Sequence, residues 1–125
     1  MLKGQPVPIL RIFDVPKALD FYVGFLGFVE NWRHHFDSGW PLYIQVSRDG
    51  VALHLSEHHG DASPGAGVRI EVEDVERYCA DLLAKSYPYC RPSVASTEWK
   101  TREMAVMDPF RNRLLFWTPA SSERS

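Results

Sequence analysis

Histidine, glutamate, cysteine and tryptophan are the side chains whose spacing in this sequence bears on chemistry. His54, Glu57, His58 and His59 crowd potential metal donors into one short segment. If His54 lies on a strand, residue 57 is an odd step away and points to the opposite face. His58 and His59 open a polar stretch, so the segment reads as one strand histidine followed by a solvated loop. A catalytic metal needs about three protein ligands and an open position. His34 and His35 are adjacent and face opposite ways on a strand, which leaves them equally short of partners. Cys79 falls on the apolar side of a helical pattern and reads as a small filler. Cys90 has no paired base in the sequence. Neither a G-x-S-x-G elbow nor a phosphate-cradling glycine loop is present. Glu103 is a lone carboxylate, a base if buried and otherwise an ion-pair partner or a contact for a cation.

The tryptophans are a stronger signal. Four indoles in 125 residues is a high count, and Trp32, Trp40 and Trp99 include rings in or beside loops that a small core does not need. Trp99 sits between Glu98 and Lys100, so it either stacks on a ligand or packs across a subunit interface. A ring stacked on another ring system gains roughly 0.5–1.5 kcal/mol beyond area burial. Trp117 ends an apolar strand and reads as structural.

The elements that would position these groups are legible from periodicity. Residues 7–13 read as a strand. Asp14 caps a helix with Pro16 in its first turn, its apolar positions 15, 18, 19, 22, 25 and 26 follow the helical period, and Gly27 stops it. Strands follow at 28–35, 41–48 and 51–56, the last two joined by the Asp49-Gly50 turn signal. Residues 58–66 read as a linker. The pattern then restarts with a strand at 67–73 and a helix opened by Asp74-Val75, with apolar positions 75, 78, 79, 82 and 83. An extended segment begins at Tyr87, and strands at 102–107 and 113–118 follow. Asp14-Val15 and Asp74-Val75 lie 60 residues apart, and His54 and Leu115 lie 61 apart. An offset held this closely implies an internal repeat. The expected architecture is α+β, with two βαβββ modules of about residues 6–57 and 67–118, a tail at 119–125, and one domain over 1–125.

Composition narrows the function. Apolar residues make up 45% and the formal charge is -2 with no basic cluster, which argues against a nucleic-acid partner. No apolar run approaches the ~18 residues of a membrane span. The N-terminal residues lack a signal-peptide pattern, and two cysteines make no disulfide framework, so the expected location is a reducing cytoplasm.

The two modules, the Asp14-Val15…Phe21-Tyr22…Leu26-Gly27-Phe28 run and the closing Asp108-Pro109-Phe110-Arg111-Asn112 resemble the glyoxalase/bleomycin-resistance/extradiol-dioxygenase (vicinal oxygen chelate) superfamily. Pro8-Ile9-Leu10 before Asp14-Val15, and Glu98-Trp99 with Arg102-Glu103-Met104 running into Asp108-Pro109, are most similar to the bleomycin resistance proteins. The resemblance implies a half-open eight-stranded cup and a homodimer, with exchange of the N-terminal strand around Pro6 and Pro8 as a further feature. The family usually has Gly at the position of Arg111, which favours positive φ. Arg there either strains the turn or alters its shape. Lys100-Thr101 replaces a single Gly, which changes the loop carrying Trp99.

The superfamily's enzymes place divalent-metal ligands at the start of each module's first strand and near the end of its last. Mapped by the Asp-Val and Asp-Pro anchors, those positions are Val7, His54, Gly67 and Leu115, and only His54 can ligate. No cofactor is therefore expected. Strand alternation turns Val7, Ile9 and Arg11, Tyr43 and Gln45, His54, Gly67, Arg69 and Glu71, Glu103, Ala105 and Met107, and Leu115 and Trp117 away from the helices. Arg11, Arg69 and Glu71 read equally well as a solvated ion-pair network. The leading expectation is a binding protein of the bleomycin-resistance type that closes an apolar-rich face by two-fold pairing. It would sequester a planar aromatic, cationic or neutral antibiotic or metabolite in a cleft between subunits. Its expected ligand-binding residues are Trp99, Glu103, His54, Gln45, Tyr43, Arg11, Arg69 and Trp40, with Glu71, Glu57 or Asp61 as further cation contacts. The alternative is a glyoxalase-like lyase or dioxygenase with a displaced metal at His54. A third reading is a dimeric scaffold without a ligand.

Overall fold

The computed structural model describes residues 1–37 and 40–120, with the side chains of residues 36–40 outside that description. It is α+β: two four-stranded mixed sheets with few helices. No helix among the described residues is long and apolar enough to cross a membrane. The chain divides into two compact units, Met1–Ala66 with Pro109–Asn112, and Gly67–Asp108 with Arg113–Ser125.

In the first unit, β1 (Ile9–Arg11) is followed by α1 (Val15–Leu19). Asp14 caps the helix by accepting the Lys17 N–H at 2.9 Å, and Pro16 occupies its first turn. The sequence predicts a regular helix to residue 26. Instead, Asp20–Phe25 widens into a π-helical turn, with the Leu26 N–H reaching five residues back to Phe21 O at 2.9 Å. The wider turn accommodates Phe21, Tyr22 and Phe25, all buried and packed ring on ring at 5.0 and 5.6 Å. Gly27 ends it at φ 85°, where a Cβ would meet Arg48 Nη1 at 2.6 Å. That guanidinium donates to Leu26 O.

The sheet is completed by β2 (Val29–Asp37), β3 (Trp40–Arg48) and β4 (Val51–Ser56), in the order β1-β4-β3-β2. Only the β1–β4 pair is parallel. Asp49 and Gly50 both take positive φ, as a two-residue hairpin turn requires. Alternate residues Leu42, Ile44, Val46, Leu53 and Leu55 are buried with Leu10 and Ile12. The predicted first strand of 7–13 pairs only over Ile9–Arg11, because Pro6 and Pro8 have no N–H to donate.

The second unit repeats the plan with β5 (Gly67–Glu71), α2 (Val75–Ala84), β6 (Val94–Ser96), β7 (Thr101–Met107) and β8 (Arg113–Pro119), ordered β5-β8-β7-β6. Asp74 caps α2 through the Arg77 N–H at 3.1 Å. Val75, Tyr78, Cys79 and Leu82 are buried against Met104, Val106, Leu114 and Phe116. The extended segment expected from Tyr87 becomes a strand only at Val94, since Pro88 and Pro92 interrupt any ladder. The Cys79 thiol donates to Pro92 O at 3.5 Å, and burial pushes its pKa up.

Residues 109–112 belong with the first unit rather than with the expected second module. Phe110 packs on Phe13 at 6.0 Å. Asn112, fully buried, accepts the Ala66 N–H at 3.2 Å and donates to Arg11 O at 2.7 Å. Arg111 keeps the left-handed turn at φ 73°, so strain rather than a new turn shape is the outcome there. A side chain with a Cβ pays about 1–2 kcal/mol for that conformation.

Candidate functional site

The exposed face of the first sheet is built on β3 and β4, whose alternation turns Tyr43, Gln45 and His54 away from the buried set. A bulge in β2 completes it. Glu30 lies opposite Val46 and Trp32 opposite Gln45, so Asn31 is one residue in excess. Without this bulge, the same residues in regular alternation would set Trp32 on the face of Glu30. With it, the indole lies parallel to Tyr43, centroids 6.1 Å apart, and edge-on to His54 at 5.3 Å. Glu30 and Arg33 then share the other face, joined by bonds of 2.6 and 3.0 Å.

These side chains form one directed chain of hydrogen bonds. The Gln45 amide N–H donates to Asn31 Oδ1 at 3.1 Å, which leaves Gln45 Oε1 to accept from His54 Nε2–H at 2.9 Å. His54 Nδ1 is then the acceptor for the Tyr43 hydroxyl at 2.7 Å. Above its folded midpoint the imidazole is neutral, with its proton on Nε2 facing Gln45. Burial holds its pKa below 6.5, and burial together with the Asp61 charge raises the Tyr43 phenol.

Arg11 lies at the end of this face, opposite Ser56. Its Nη1 donates to Ile12 O at 2.6 Å and Glu57 O at 2.5 Å, and its guanidinium lies 4.2 Å above the Phe13 ring. An open depression of about 600 Å³ is lined by Arg11, Phe13, Pro41, Glu57, His58 and His59. Two of the expected cation contacts are already engaged. Glu57 Oε1 accepts the Leu42 N–H at 2.9 Å, and Asp61 accepts the Ser56 hydroxyl at 2.6 Å. The Trp40 side chain lies outside the described residues.

In the second unit a four-residue loop, Thr97-Glu98-Trp99-Lys100, joins β6 to β7. Lys100 takes the left-handed position of this loop at φ 66°, where the sequence offers no glycine. The loop sets the Trp99 Nε1–H on Glu103 Oε2 at 2.9 Å while 64% of the residue stays exposed. The same oxygen accepts from the Thr101 hydroxyl at 2.7 Å and Arg69 Nη2 at 3.1 Å. The Thr101 hydroxyl, then Trp99 and Arg69, lower the Glu103 pKa against the opposing effect of burial. Arg69 also lies 5.4 Å from the Trp117 ring. Glu103, expected as a contact for a ligand cation, is therefore a hub for its own chain. Glu71 stands exposed two residues from Arg69.

A sequence profile described as "Glyoxalase superfamily protein" matches residues 1–123. The chain belongs to the glyoxalase superfamily. Among superfamily relatives, a bleomycin resistance protein of Geobacillus stearothermophilus is 26% identical, over 94% of this chain and 98% of that one. The crystal structure of TnmS3, an antibiotic binding protein from Streptomyces sp. CB03234, matches with a TM-score of 0.70 at 24% identity, covering 96% of this chain and 100% of that one. A bleomycin-binding protein complexed with bleomycin matches with a TM-score of 0.72 at 20% identity, over 93% and 98%. These two structures bear on the fold.

The residues at the superfamily's metal positions do not fit a metal. Val7 lies two residues before Ile9, which stands opposite His54, and Gly67 two residues before Arg69, which stands opposite Leu115. Ile9 and Leu115 offer hydrocarbon and Arg69 a cation. Both nitrogens of His54 are engaged by Tyr43 and Gln45, so a displaced metal there would have to break one of those bonds. Among the described residues, no three His, Cys, Asp or Glu side chains gather as a metal site. Of the groups assembled here, sequence reasoning gave Trp32 no face and passed over Asn31, Phe13 and Thr101. The bulge leaves no mark on composition, and the sequence signal at Trp32 is the indole itself.

Proposed function

We propose that this chain is a non-catalytic small-molecule binding protein of the bleomycin-resistance type. It acts as a homodimer and sequesters a planar aromatic antibiotic or metabolite in a cleft at the subunit interface. The observation that carries this reading is Trp99: an indole largely open to solvent, yet fixed in orientation through its N–H on the buried Glu103. A ring held this way offers a flat apolar plate at little ordering cost, which suits stacking with a heteroaromatic ring. Trp32 over Tyr43 and His54 gives a second plate with polar edges. Glu71 is the carboxylate placed to meet a ligand cation, because Glu103 is occupied by three donors of its own chain.

The test is tryptophan quenching by bleomycin and by a panel of flat heteroaromatic compounds, with native mass spectrometry on the same sample. Saturable quenching by at least one compound, lost in Trp99→Ala while the dimer persists, is the expected result. Quenching that survives the substitution unchanged, or a protein that stays monomeric at every concentration, overturns the proposal.

A further inference from the structure

We propose that the depression beside β1 is a separate binding site, which takes the carboxylate of a small planar acid on Arg11. Three half-buried arginines occur among the described residues. Arg48 is paired with Asp49 and Arg102 with Glu76. Arg11 has no carboxylate partner among the described residues; its bonds go to two backbone carbonyls. A cation partly withdrawn from water and left without a counter-charge is costly, so a ligand anion that supplies one is favoured.

The way Arg11 is held selects the ligand. Both carbonyl bonds use Nη1, and the guanidinium carbon lies over the Phe13 ring, 4.2 Å from its centre. What remains is the Nε–H and Nη2–H edge, two parallel donors whose spacing matches the two oxygens of a carboxylate. The plane is already fixed, so little side-chain freedom is lost on binding. Glu57 lines the same depression, but its carboxylate is turned to the Leu42 N–H and does not neutralise Arg11. The exposed Phe13 ring, Pro41 and the stacked pair His58–His59, 4.9 Å apart, give flat surfaces for the rest of a planar acid. This inference is independent of the proposed role of Trp99.

The experiment is a nitrogen-resolved NMR titration of the full chain with benzoate, its neutral isostere benzamide, and inorganic phosphate, following the Arg11 Nε–H resonance. Benzoate shifts it saturably, benzamide leaves it in place, and phosphate binds more weakly than benzoate. Arg11→Lys keeps the charge but loses the fork, and weakens benzoate about tenfold or more. Should that variant fail to fold, the comparison of benzoate with benzamide on the unaltered chain still decides. No saturable shift with benzoate, an equal shift with benzamide, or tighter binding of phosphate overturns the proposal. The readout sits on Arg11 and on no tryptophan, so failure here leaves the quenching test of the proposed function unaffected.

Discussion

The two units share strand order, an aspartate-capped helix and one parallel strand pair, yet their exposed sheet faces carry opposite kinds of polar chemistry. In the first, four neutral groups, Tyr43, His54, Gln45 and Asn31, pass hydrogen bonds in one direction beneath an indole. In the second, one carboxylate gathers three donors, one of them a cation. His54 in the first unit has Leu115 as its counterpart, and Ile9 has Arg69. The repeat therefore constrains the alternate positions that fill each core, whereas the intervening positions have diverged in charge and in bonding.

The comparison is broken most directly at its shared part. Ile44 and Met104 are counterparts 60 residues apart, both fully buried. Replacing either with Ala is expected to cost about 2–5 kcal/mol, read by denaturant unfolding. A loss under about 1 kcal/mol at one of the two shows that the cores are not equivalent.

A smaller effect sharpens the contrast between faces. Glu103→Gln removes the charge that three donors share, at a cost of about 1–3 kcal/mol. Because the folded pKa of Glu103 lies below the ordinary 4.5, its contribution is present above that value and fades as pH falls through the folded midpoint. Acid unfolding curves of the variant are expected to fall less steeply below pH 4.5 than those of the parent. Parallel curves would remove Glu103 from its role as hub.

The smallest effect belongs to His54. Its folded pKa is depressed below 6.5, so the unfolded chain takes up the proton first, and stability declines as pH drops from 6.5 toward the folded midpoint. An NMR titration of the His54 Cε1 proton is expected to give a midpoint under 6.5, with nitrogen shifts reporting a proton on Nε2 above it. A midpoint at or above 6.5, or a proton on Nδ1, reverses the direction of the hydrogen-bonded chain.

Much of the fold was legible because its signals are local. Asp14 and Asp74 each begin a helix that the structure caps at that residue, and the span 51–56 is the strand found. The spacing of Asp14-Val15 and Asp74-Val75 carried the duplicated topology. What escaped depends on register or on neighbours distant in sequence. Nothing around Asn31 announces a bulge, since an extra residue is visible only against its partner strand. That Ile9 stands opposite His54 and Arg69 opposite Leu115 is visible only in the ladder. Glu103 read as a lone carboxylate because the turn that brings Trp99 to it uses a lysine in a left-handed conformation, where a glycine would have drawn notice.

The surplus residue in β2 also bears on how relatives should be compared. A homologue one amino acid shorter there would run on as a regular ladder and still seat its tryptophan opposite the counterpart of Gln45, so the ring keeps its side of the sheet. A homologue of equal length whose strand stayed regular would instead send the ring through to the helix side. Aligners would score the indole as retained in the second case and open a gap beside it in the first, so pairing with the neighbouring strand is a better guide than identity to which members of this lineage present the same surface.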